Sequence, residues 1–93
     1  MNSVEEICEI DGDVHAVVYW RPGCPFCSML RAGLRLRRVP FREVNIWDDP
    51  EAAAFVRSVA RGNETVPTVL VGTVSLVNPS AGEVAALVAA ASD

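Results

Sequence analysis

The sequence predicts an α/β domain: a four-stranded mixed sheet flanked by three helices, in the order β-α-β-α-β-β-α. Three observations predict it. Short β-branched runs alternate with stretches whose apolar residues recur at helical spacing. Prolines stand where helices would start, and Pro40 and Gly62 stand where helices would stop. Near the C-terminal end, two apolar runs flank a Gly72–Thr73 step, which marks a hairpin.

Each element follows from its residues. Val14 to Trp20 is apolar, with β-branched and aromatic side chains, and reads as a buried strand. "RPG" breaks it. Cys24 then takes the helix-start position and Pro25 the first helical one, where a missing N–H costs nothing. Phe26, Met29, Leu30, Gly33 and Leu34 carry the first helix to about Arg38, before Pro40. "FREVNI", Phe41 to Ile46, alternates and predicts the second strand. Asp48 or Asp49 caps a second helix opened by Pro50, with Ala52, Phe55, Val56 and Val59 as its apolar face and Gly62 at its end. "TVPTVLVGTVSLV" supplies the hairpin strands. Ser80 and Glu83 have capping-box spacing ahead of a last helix with Val84, Leu87, Val88 and Ala91 in a stripe. The first two strands, joined through a helix, are expected parallel, and the hairpin strands antiparallel.

The 93 residues predict a single domain. A chain of this size buries roughly 60–65% of its unfolded surface, enough for a small core. Three cysteines are too few, and odd in number, for a disulfide scaffold. The first 13 residues are acidic, with neither the basic start nor the apolar run of a secretory leader. No apolar stretch is long enough to span a bilayer. The expectation is a cytoplasmic protein, where a Cys pair serves catalysis or metal binding more often than structure. The net charge of −4 argues against nucleic acid as a partner. All eight basic residues are arginine, a composition suggestive of a GC-rich genome.

The chemistry centres on "WRPGCPFCSML". A cysteine attacks as the thiolate, and helix N-termini or basic neighbours lower its pKa from about 8.5 to roughly 3.5–7.5. Cys24 would have the unpaired N–H groups of the first helix, and Arg21 three residues upstream. Cys27 lies one turn further along. So Cys24 is expected to attack and Cys27 to resolve. Zinc would need two further ligands, and only Cys8 and His15 are on offer, without a second close pair. No metal site is therefore expected.

The chain resembles the glutaredoxins, on the thioredoxin fold, from about Val14 onward, leaving residues 1–13 outside the match. "YWRPGCPFC" is similar to the family's Y-x-K-x-x-C-P-Y-C, with Arg21 for Lys and Phe26 for Tyr. "TVPTV" matches the family's T-V-P segment. The resemblance implies a cis Pro67, a Val66 backbone that meets the cysteinyl part of a thiol substrate, and a groove lined by Phe26. Cis X–Pro bonds are a minority, so that expectation comes from the family alone. The sequence also departs from glutathione-using members. Their G-G-x-D before the last helix is replaced by "VNPS", and a basic residue before T-V-P is replaced by Glu64. An acid there would repel the anionic tripeptide.

"AAAFVRSVARGNETVPTV" and "NPSAGEV" are similar instead to the mycoredoxins, the actinobacterial branch working with mycothiol. Mycothiol carries no carboxylate and ends in sugar and inositol hydroxyls, which Asn78, Ser80 and Glu64 would suit. The resemblance implies reduction of mycothiol mixed disulfides, with mycothiol as co-substrate, mycothiol disulfide reductase and NADPH downstream, no tightly bound cofactor, and a monomer. Three alternatives stay open. One is a redoxin fed by thioredoxin reductase and serving a reductase such as ribonucleotide reductase. Another is a carrier of an iron–sulfur cluster. The last is a structural zinc module.

The remaining candidates have plainer readings. Asn78 could simply cap the last helix. Arg57 and Arg61 read as a solvated face of the second helix, or as contacts to an anionic substrate group. Trp20 and Trp47 read as packing at strand ends, Cys8 as a packed or idle thiol, and His15 as a strand-edge residue without a role.

Overall fold

The computed structural model describes residues 16–92. Cys8 and His15 lie outside the described residues. The strands are β1 (Ala16–Trp20), β2 (Phe41–Asn45), β3 (Thr68–Val71) and β4 (Val74–Val77). The helices are α1 (Pro25–Leu36), α2 (Pro50–Val59) and α3 (Ala81–Ser92). The element order is the one the sequence predicts. The sheet order is β2-β1-β3-β4, with β1 and β2 parallel and the other two neighbouring pairs antiparallel.

The pleat sorts β1 into two faces. Ala16 and Val18 are fully buried with Val69 and Val71, their partners across β3, under Leu30 and Leu34 of α1 and Val84 and Val88 of α3. Tyr19 and Val44 pack on a second cluster that includes Ala52, Ala53 and Val56 of α2. Helices α1 and α3 share a face because Gly33 has no side chain: a Cβ there would lie 2.7 Å from Ala81 Cβ.

The helix starts follow their expected caps. Asp49, rather than Asp48, caps α2, its Oδ1 accepting from Glu51 N at 3.0 Å and Ala52 N at 3.2 Å. Ser80 and Glu83 form the reciprocal box on α3: Ser80 N donates to Glu83 Oε1 at 2.8 Å, and Glu83 N to Ser80 Oγ at 3.1 Å.

The helix ends differ from expectation. Helix α1 stops at Leu36, two residues early, because the chain turns before Pro40 is reached. Arg38 takes a left-handed φ of 60°, with Arg38 N donating to Arg35 O and Val39 N to Leu34 O, both at 3.0 Å. After α2 ends at Val59, the left-handed position falls at Arg61, one residue before Gly62: Arg61 has φ 58°, and Gly62 N donates to Arg57 O at 2.7 Å. At α1 the paired 6→1 and 5→2 bonds stop the helix without glycine at the left-handed position. Gly72, at φ 61°, opens the two-residue β3–β4 turn.

Candidate active site

Four connections meet at the end of the sheet where β1 stops: Arg21–Cys24, Ile46–Asp49, Ala60–Pro67 and Asn78–Ser80. Cys24 stands at the first as the N-cap of α1, with extended backbone (φ −103°, ψ 103°) and Pro25 directly after it. Its sulfur accepts from Cys27 N at 3.2 Å, in the place a serine or aspartate oxygen usually occupies. The proline supplies helical φ without adding an N–H that would need a partner.

Cys24 and Cys27 are joined as a disulfide, with Cα atoms 5.3 Å apart. Cys24 is 8% exposed and Cys27 is fully buried. Both belong to the buried cluster with Ile46, Val56 and Val66, and only Cys24 also stands at the helix terminus as its cap.

The Val66–Pro67 bond is cis. Val66 O lies 3.7 Å from Cys24 Sγ, a contact that a reduced thiol makes by donating its S–H. Two bonds hold this loop. Thr68 Oγ1, fully buried, donates to Thr65 O at 2.7 Å, and Asn78 N donates to Pro67 O at 2.8 Å. Asn78 takes φ 54°, a left-handed conformation that asparagine tolerates better than most residues. It does not cap α3, because Ser80 does.

Beside the dithiol runs a groove of about 290 Å³, lined by Phe26, Met29, Leu30, Asn78, Pro79, Ser80 and Ala81. None of these side chains is ionisable. Phe26 and Met29 are more than half exposed. The structure thus brings Cys24, Cys27, Val66 and Pro67 together, and places Phe26, Asn78 and Ser80 in one adjoining groove. Arg21 is half-buried on the approach loop and bonds no described residue. Glu64 is not a bare charge: Arg57 Nη1 donates to its Oε2 at 2.6 Å. Sequence spacing paired neither residue with the other, since helix α2 ends between them. Trp47, expected to pack, is exposed on the β2–α2 loop.

A four-stranded mixed sheet, three helices, and a Cys-x-x-Cys disulfide at a helix start facing a cis-proline define a thiol-disulfide oxidoreductase of thioredoxin-like fold. The glutaredoxin family model matches residues 16–76, and the chain belongs to the glutaredoxin family. Over 70 residues it is 44% identical to Mycobacterium tuberculosis proteins provisionally described as glutaredoxins, in strains CDC 1551 and H37Rv, covering 74% of this chain and 83% of theirs. Among solved structures, it superposes on the NrdH-redoxin of Escherichia coli with a TM-score of 0.67 at 26% identity, covering 78% of this chain and 93% of that one. For the glutaredoxin of Brucella melitensis the TM-score is 0.61 at 29% identity, covering 81% of this chain and 78% of that one. No described helix is long and apolar enough to cross a membrane.

Proposed function

We propose that the protein reduces mixed disulfides between mycothiol and protein thiols. The Cys24 thiolate attacks the mycothiol sulfur, the S–S bond breaks, and the protein thiolate leaves and takes up a proton. The resulting Cys24–mycothiol disulfide has two exits. A second mycothiol attacks its sulfur, giving mycothiol disulfide, which mycothiol disulfide reductase returns to thiol with NADPH. Alternatively Cys27 attacks Cys24, releases mycothiol and closes the internal disulfide. Arg21, on the approach loop, adds positive potential for the thiolate.

The observation that carries this reading is the uncharged lining of the groove. A carboxylate-bearing thiol such as glutathione needs a cation or open N–H groups there. The start of α3 is instead closed by its own Ser80–Glu83 box, which puts a carboxylate at that helix terminus. An amide, a hydroxyl and an aromatic face, from Asn78, Ser80 and Phe26, suit a neutral polyol. The Arg57–Glu64 pair weakens the repulsion expected from Glu64, but it also ties up that arginine. The Mycobacterium relatives add support. On this reading the protein works in the cytoplasm without a tightly bound cofactor.

The test is turnover of a mycothiol mixed disulfide on a small model substrate, coupled to NADPH through mycothiol disulfide reductase, against the matching glutathione substrate. The expected preference for mycothiol is about tenfold or more, the effect of one unpaired polar contact. Equal rates sink the groove argument.

A second reading has its own observation. The superposed Escherichia coli redoxin is described as glutaredoxin-like with a thioredoxin-like activity profile. On that reading electrons come from thioredoxin reductase, and mycothiol is ignored.

A further inference from the structure

Arg31 lies one turn beyond Cys27 on α1. Residues at this spacing share a helix face, with Cβ atoms about 5–6 Å apart. Long helical side chains lean toward the N-terminus, so Arg31 extends toward the dithiol end. Its guanidinium carbon sits 4.4 Å from the centroid of the Trp20 ring. Its Nη1 donates to Glu43 Oε1 at 3.3 Å, while Arg35 Nη2 donates to Glu43 Oε2 at 2.7 Å. The Arg31 side chain is 18% exposed, and its buried Nε–H has no hydrogen-bond partner among the described residues.

That orphaned N–H is costly. A leucine would cover the Trp20 ring without it. Trp20 is the last residue of β1, packs on the cluster that holds both cysteines, and accepts Ile46 N at 2.9 Å through its carbonyl. The arginine thus places a largely desolvated positive charge against the wall of the redox site, where screening by water is weak.

We propose that Arg31 is an electrostatic positioning residue for the dithiol. Held by Trp20 and Glu43, it favours the Cys24 thiolate, and Glu43 sets how much of its charge the sulfur feels. The other charged groups around this end are Arg35 on α1, Arg21 before Cys24, Arg42 on β2, Asp48 and Asp49 after β2, Glu51 on α2, and the Arg57–Glu64 pair. Arg35 shares the Glu43 carboxylate with Arg31. The inference rests on Cys24 being the attacking thiol and is independent of which small thiol is the co-substrate.

The test is a pH titration of the Cys24 thiolate absorbance in the reduced 93-residue chain carrying Cys8→Ser and Cys27→Ser. Arg31→Met is expected to lower the thiolate-to-thiol ratio at a fixed pH near the midpoint by about threefold, and Arg31→Lys to restore most of it. Glu43→Gln is expected to raise that ratio by a similar factor. The opposite signs are the signature, because general loosening of the site would move both variants the same way. Shifts of the same sign, or no shift with Glu43→Gln, overturn the proposal. Glu43→Gln keeps size and shape, so it decides the matter even if Arg31→Met fails to fold. No thiol substrate enters the measurement, so the mycothiol assay can fail while this result stands.

Discussion

The backbone N–H of Cys27 donates to the sulfur of Cys24 across 3.2 Å. The residue proposed to resolve the disulfide therefore also donates its main-chain N–H to the proposed nucleophile. Serine at position 27 removes the resolving sulfur and leaves the N–H in place. The expected outcome is that Cys27→Ser keeps most of the reduction of small mixed disulfides, while Cys24→Ser loses it by at least about a hundredfold, since no thiolate remains to attack. Loss of activity in both variants would show that the internal disulfide is obligatory.

Thr68 ties the cis-proline loop to β3. Its hydroxyl is fully buried and donates to Thr65 O at 2.7 Å. Valine has the same shape without the donor, so Thr68→Val leaves a carbonyl unsatisfied. The expected cost is about 1–3 kcal/mol in denaturant unfolding, with Thr68→Ser keeping the bond at a smaller loss. Thr68→Val should also slow turnover, because Thr65 leads directly into the Val66 carbonyl facing Cys24.

Much of this site was legible in the sequence because its signals are local. Pro25 after Cys24, the two-residue cysteine spacing, Asp49 before Pro50 and the Ser80–Glu83 box each fix a helix start within one turn of chain. The cis state of Pro67 was reachable only through family resemblance. The Arg57–Glu64 and Arg31–Glu43 pairs were not legible, since they depend on how far α2 runs and on the β1–β2 register that sets Glu43 opposite Val18. The left-handed Arg38 and Arg61 were hidden for another reason. Glycine is the usual mark of such an ending, and here the hydrogen-bond pattern does without it.

Gly33 lets α1 approach α3. Alanine there would put its Cβ 2.7 Å from Ala81 Cβ, closer than two carbons can pack. Gly33→Ala is therefore expected to destabilise by about 1–3 kcal/mol despite its better helix propensity. Pairing it with Ala81→Gly should recover part of the loss, and a double-mutant cycle in urea measures the coupling. Additive effects would mean that the helices separate freely at this point.

Tyr19 provides an alkaline readout of the α2 face. Burial pushes its phenol above the ordinary value, the nearby Arg42 charge offsets part of the rise, and Asp49 adds to it. A phenol that ionises later in the folded chain than in the unfolded one stabilises the fold below the unfolded value, about 10. That contribution is lost as pH climbs from there through the higher folded value. The chain suits the measurement: it has one tyrosine and no lysine, and the Cys24–Cys27 disulfide does not titrate. In oxidised protein carrying Cys8→Ser, stability should fall as pH rises beyond about 10, and Tyr19→Phe should flatten the fall. Phenolate absorbance of the folded protein should develop at higher pH than in the urea-unfolded chain. Coincident titrations would mean that the ring is solvated, and that Phe55, whose ring centroid lies 5.0 Å from that of Tyr19, does not shield it.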